Sequence, residues 1–96
     1  MELTKEALLS NGFETNHEER VLPTFYCYSA KGEANPWRIQ ATSEYLPLKN
    51  LVTYNCDIQK SDEKGAIIKR ASLTDVRTIE DLNALIALCG IDKEVR

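Results

Sequence analysis

Val76-Arg77-Thr78-Ile79-Glu80-Asp81-Leu82-Asn83-Ala84-Leu85-Ile86-Ala87-Leu88-Cys89-Gly90 is the stretch in which start signal, apolar face and stop signal agree. Its reading decides how the fold closes. The spacing predicts a helix from about Ile79 to Cys89. Thr78 is its N-cap, because a threonine hydroxyl can accept from the first free backbone N–H groups. Glu80 and Asp81 put negative charge at the positive end of the helix dipole. Asp81, at the third helical position, makes a weaker relative of the capping box with Thr78. Ile79, Leu82, Leu85, Ile86, Leu88 and Cys89 form a broad apolar stripe. Gly90 stops the helix, and Ile91 can fold back as the apolar contact after a glycine cap. A helix this apolar must be covered, and one face of a β-sheet is the available surface. Asp92 to Arg96 read as a charged tail.

The sheet is legible upstream. Leu51 to Gln59 alternates, with Val52, Tyr54, Cys56 and Ile58 against Thr53, Asn55, Asp57 and Gln59. Trp37 to Tyr45 does the same, with Trp37, Ile39 and Ala41 against Arg38, Gln40, Thr42 and Glu44. Such period-two patterns bury one face and leave the other wet. Ser61-Asp62-Glu63-Lys64-Gly65 reads as a turn and Ala66 to Leu73 as the returning strand, the clearest hairpin in the chain. Val21 to Ala30 is a further strand, with Pro23 confining its start to an edge or irregular position. Lys31 to Pro36 is a loop. Near the start, Thr4 caps a short helix with Leu3, Ala7 and Leu8 on one face and Leu9 beside them. Asn11-Gly12 ends it, and Phe13 can pack back on its last turn. Glu14 to Arg20 reads as a connecting loop or ragged strand start. The expected fold is α+β: an N-terminal helix, an antiparallel meander of about four strands, and a C-terminal helix packed on one sheet face. Residues 1–96 form a single domain.

The totals exclude several function classes. The chain has 96 residues, 43% of them hydrophobic and 28% charged, the composition of a globular rather than a disordered protein. The net charge is -3. Lysines and arginines are scattered, without the basic stripe that drives binding to phosphate backbones, so no nucleic acid is expected as a partner. No apolar run approaches the roughly 20 residues that span a bilayer, and no membrane partner is expected. The first residues lack a basic region followed by a long apolar run. Three widely spaced cysteines, Cys27, Cys56 and Cys89, make no disulfide framework. The expectation is a cytoplasmic protein with reduced thiols.

Few residues carry a chemical signal. Asp57, Asp62, Glu63 and Lys64 match a D…D-x-K pattern in which carboxylates hold a divalent ion. Three of the four fall in a turn, however, whereas a rigid site needs its ligands on regular elements. His17 stands beside Glu18 and Glu19 without a second histidine, the pattern of a solvated loop. Cys56 and Cys89 fall on apolar faces, where a thiol is packing; Cys27 is also read as core. No catalytic residue, metal ligand or cofactor is expected. Trp37 and Tyr54 read as core. If Phe25 and Cys27 face the core, Tyr26 and Tyr28 point outward. Tyr26, Tyr28 and Arg38 are then the candidate partner-binding residues, since Tyr and Arg carry binding energy at interfaces.

Two stretches support a resemblance. Leu8-Leu9-Ser10-Asn11-Gly12-Phe13 is similar to an L-x-x-N-G-F opening. Ile79 to Val95 resembles a closing V-H-E-L-Q-N-A-L-R-L-C-G-I-x-K-E-I. Both resemble a group of short uncharacterised proteins of Bacteroidales bacteria and their phages or mobile elements. Glu80 stands where that group often has His, and Asn83 where it has Gln. The resemblance covers under a third of the chain. It implies the same helix–meander–helix layout and a mobile-element or gut-bacterial setting.

The expectation for function is a non-enzymatic interaction protein, possessing an open sheet face that binds a protein partner or a second copy. One alternative is a small ligand-binding domain or enzyme with a pocket between sheet and closing helix. Another is an acidic inhibitor or immunity-type protein.

Overall fold

The structure, a computed structural model, describes residues 1–15, 25–30 and 36–96. In chain order it has α1 (Lys5–Ser10), β1 (Glu14–Thr15), β2 (Phe25–Ala30), β3 (Trp37–Leu46), a 3-10 turn (Pro47–Lys49), β4 (Leu51–Ser61), β5 (Ile67–Val76) and α2 (Ile79–Leu88). The strands form one five-stranded antiparallel sheet in sequential order, β1-β2-β3-β4-β5. The α+β meander is therefore as the sequence indicates, with one short strand more. The predicted start of β2 at Val21, and the loop over residues 31–35, lie outside the described residues.

Both helices begin and end by the same chemistry. Thr4 Oγ1 accepts the Ala7 N–H at 3.1 Å, and Thr78 Oγ1 accepts the Asp81 N–H at 3.1 Å. At the C-terminal end of α1, Gly12 adopts φ 87°, the Phe13 N–H donates to the Leu8 carbonyl and the Gly12 N–H donates to that of Leu9. At the end of α2, Gly90 adopts φ 67°, with Ile91 bonded to Ile86 and Gly90 to Ala87. Each is a Schellman motif, which only a residue tolerant of positive φ can close cheaply. Phe13 and Ile91 are both buried, as their position after the glycine predicts.

The register fixes which face is inside. Tyr26 pairs with Ala41, which pairs with Cys56; Tyr28 pairs with Ile39, which pairs with Ile58. This face meets α2, whose Ile79, Leu82, Leu85, Ile86 and Cys89 are buried against it, together with Leu3, Leu8 and Phe13. One expected member of the apolar stripe departs: Leu88 is 65% exposed. A ten-residue helix offers an arc, and position 88 lies outside the arc that the sheet covers.

The two chain ends close the layer. The Leu3 N–H donates to the Arg77 carbonyl and the Ile79 N–H to the Met1 carbonyl, both at 2.8 Å. The second bond satisfies an N–H that a helix start leaves free. Residues 92–96 are not simply a charged tail. Val95 is buried, and two asparagines hold the segment: Asn83 through Val95 and Asn11 through Arg96.

Candidate functional site

The assignment of β2 is reversed. Tyr26, not Phe25, faces the core and is 4% exposed. Tyr28 is half-buried between Phe13, at a ring distance of 5.7 Å, and Trp37, stacked at 5.5 Å. Lys93 Nζ sits 3.8 Å above the Tyr28 ring centre, a cation–π contact. Burial lowers the Lys93 ammonium below the usual lysine value. Neither tyrosine is presented on the open sheet face. Of the three candidates only Arg38 is, exposed on β3. The cause is register: in a strand where four successive residues are apolar, the partner strand chooses the face.

Tyr26 instead lines the floor of a groove of about 580 Å³. Its other described lining residues come from the β3–β4 hairpin and the N-terminal segment. Ser43 belongs to β3, Leu51, Val52 and Tyr54 to β4, and Asn50 to the turn between them; Glu2, Leu3, Thr4 and Lys5 form the N-terminal wall. The β3–β4 hairpin runs beyond the part of the sheet that α2 covers. Tyr45 and Val52, paired across it, are therefore exposed on the face whose continuation is core. Leu48, in the 3-10 turn at its tip, is fully exposed. Tyr45 is oriented by its hydroxyl, which donates to Asn50 Oδ1 at 2.9 Å. Asn50 takes φ 47°, a left-handed conformation that asparagine tolerates, and this turns the chain into β4.

The floor of the groove is chemically quiet. Tyr26 and Tyr54 meet edge to face at 6.2 Å. Burial first, then Tyr26 and Glu6, pushes the Tyr54 phenol up to about 12. Burial and Glu6 likewise raise Tyr26. Both phenols stay neutral at ordinary pH, so they can exchange hydrogen bonds without supplying a charge. Ser43, the β3 partner of Tyr54, is buried as well. The space between the sheet and α2, by contrast, is filled by Ile39, Cys56, Ile58, Leu82 and Ile86. The groove does not lie in that layer: its described lining comes from the β3–β4 hairpin, Tyr26 and the N-terminal segment.

The remaining candidates are placed as follows. Asp57 lies on the open face, where its Oδ1 accepts from Ser72 Oγ at 2.6 Å and Arg70 Nε at 3.2 Å, and its Oδ2 from Gln59 Nε2 at 3.2 Å. Partial burial works to raise its carboxyl, but Ser72, Arg70 and Gln59 together hold it below the usual range. Asp62 Oδ1 accepts the N–H groups of Lys64 and Ala66, both at 2.9 Å, which ties down the hairpin turn. The acidic pattern is thus a structural turn and a separate ion pair. Among the described residues no three His, Cys, Asp or Glu side chains converge on a metal position. His17, Glu18 and Glu19 lie outside the described residues. Cys56 and Cys89 are buried, as read, and burial raises both thiols, Cys56 to about 12. Cys27 is half-exposed, with Sγ 3.8 Å from Ser29 Oγ. No described helix is long and apolar enough to cross a membrane.

Comparison of the chain with protein families, with curated proteins and with solved structures finds no match.

Proposed function

We propose that this chain is a non-enzymatic interaction protein that pairs with a second copy of itself through the β3–β4 hairpin. The observation that carries the reading is that one element supplies both halves of a contact. The hairpin walls the groove and also presents Leu48, fully exposed, at its tip. Two copies related by a two-fold axis can each place a hairpin tip against the other's groove, because such an interface uses the same patch twice. Burying a leucine stabilises by about 1.5–3 kcal/mol, and Tyr45 and Val52 extend the apolar area. The neutral Tyr26 and Tyr54 at the floor suit an apolar occupant with little desolvation cost. Sedimentation across a concentration series tests the reading. The wild type is expected to dimerise reversibly, and Leu48→Asp or Val52→Asp to remain monomeric while keeping the same circular dichroism spectrum. A wild type that stays monomeric at high micromolar concentration contradicts it.

A second reading rests on the opposite side of the sheet. β1 blunts one edge with two residues, but β5 leaves ten residues at the other edge, with Ile67, Ile68 and Leu73 exposed. A long unpaired edge can add a strand from another chain. Register shifts near Ser61 and near Tyr54 break its regularity towards both ends, which favours the hairpin as the contact. A dimer abolished by Ile68→Lys but unaffected by Leu48→Asp would decide for the edge.

A further inference from the structure

We propose that Arg38, with the hydroxyls of Ser29 and Ser61, forms a binding site for a phosphate group on the sheet face away from the helices. The register places Ser29, Arg38, Gln59 and Arg70 in one row across β2, β3, β4 and β5. The two arginines of the row differ in their commitments. Arg70 is held by Asp57, through Nε at 3.2 Å and Nη2 at 3.5 Å. Arg38 has no hydrogen-bond or ion-pair partner among the described residues and is exposed. Asp57, on the same face of neighbouring β4, directs its hydrogen bonds to Ser72, Arg70 and Gln59 rather than to Arg38.

Arg38 stands in a shallow groove of about 490 Å³ lined by Ser29, Ala30, Pro36, Trp37, Gln59 and Ser61. Among the described lining residues none is acidic. Ser29 is directly across on β2, and Ser61 lies beyond Gln59 on β4. The guanidinium offers a planar fork of N–H donors, and each hydroxyl offers one more. One Gln59 N–H already bonds Asp57, leaving the other. Donors therefore approach from three strands. A planar carboxylate is satisfied by the guanidinium fork alone, whereas a tetrahedral phosphate has further oxygens for the hydroxyls. The continuous pairing of Ser29 with Arg38 and of Arg38 with Gln59 fixes the backbone positions from which these side chains extend. The site is independent of the hairpin groove, which opens on the other face.

Amide-resolved NMR titration with sodium phosphate, at fixed pH and with ionic strength balanced by sodium chloride, tests the proposal. Saturable shifts centred on Ser29, Arg38, Gln59 and Ser61 are expected. Arg38→Gln should weaken the binding by at least about tenfold, equivalent to 1.4 kcal/mol. Lys64→Gln, which removes the same charge in the turn between β4 and β5, should leave it unchanged, and Ser61→Ala should weaken it several-fold. Repeating the titration with O-phosphoserine identifies the source: tighter binding than phosphate assigns a phosphate ester, and equal binding assigns the free ion. Shifts that do not saturate, that survive Arg38→Gln, or that sodium acetate reproduces at the same concentrations would overturn the assignment.

Discussion

The side-chain amide of Asn83 pairs with the backbone of Val95 in both directions, Nδ2 donating to the carbonyl at 2.9 Å and Oδ1 accepting the N–H at 2.8 Å. A helix residue thereby acts as a strand would. Asn11 repeats the arrangement with Arg96, at 3.0 Å each way, while its Nδ2 also reaches the Ala7 carbonyl. These two clamps tie the chain's last residues to the middle of α2 and to the C-terminal end of α1, and Val95 is buried in the core. Replacing Asn83 by Ala leaves two part-buried backbone groups without partners. It should cost about 1–3 kcal/mol in urea unfolding. Amide exchange at Val95 should accelerate before global unfolding begins.

The capping glycines predict an ordered pair of costs. An added Cβ at Gly12 would lie 3.2 Å from Tyr28 Cε2, whereas at Gly90 the nearest atom is Lys60 Nζ, the end of a long side chain, at 3.9 Å. Both positions have positive φ, so alanine is strained at either, by about 1–2 kcal/mol. Gly12→Ala should be the more destabilising, because Tyr28 is fixed between Phe13, Trp37 and Lys93. Thermal unfolding of the two variants measures the difference.

The thiols should divide by position. Cys27 is half-exposed and should react with a disulfide reagent in the native state, while Cys56 and Cys89 wait for unfolding. Cys56 also sets an alkaline limit. Its folded value is pushed from 9.0 to about 12, so above pH 9 the unfolded chain releases this proton while the folded chain keeps it. The contribution is complete below 9 and is lost as pH rises towards 12. In Cys56→Ala, which costs packing at every pH, the fall in stability over that window should be shallower.

Asp57 sets an acid limit of opposite sign. Its carboxyl is held below 3.8, so the folded state favours the ionised form and gains stability above that value. This gain disappears as pH falls through the folded value. Asp57→Asn should flatten the acid side of the stability curve and leave Arg70 more mobile, as relaxation of its side-chain Nε would show.

The sequence made some elements plain for a physical reason. Thr78, Gly90 and Ile91 specify their roles locally, and so do Thr4, Gly12 and Phe13. Alternation in β3 and β4 marked Ile39, Ala41, Tyr54, Cys56 and Ile58 as interior. The reading failed where neighbours outside the segment decide. Phe25, Tyr26, Cys27 and Tyr28 carry no alternation, and only pairing with Ala41 and Ile39 turns the tyrosines inward. Val95 is hidden among charges, and its anchor Asn83 lies on a helix. The groove joins Glu2–Lys5 to Ser43 and Asn50–Tyr54, segments that no local pattern connects. Exposed Tyr45 and Val52 continue a buried stripe beyond the reach of α2. That overhang is the one sign of the groove that alternation could have given, and it needed the length of α2 to be seen.

Self-pairing through the hairpin is tested most directly by sedimentation equilibrium of the wild type beside Leu48→Asp and Ile68→Lys. The expected result is a concentration-dependent dimer for the wild type and for Ile68→Lys, and a monomer for Leu48→Asp with unchanged secondary structure. A wild type that is monomeric throughout, or a dimer that Leu48→Asp leaves intact, would contradict the account.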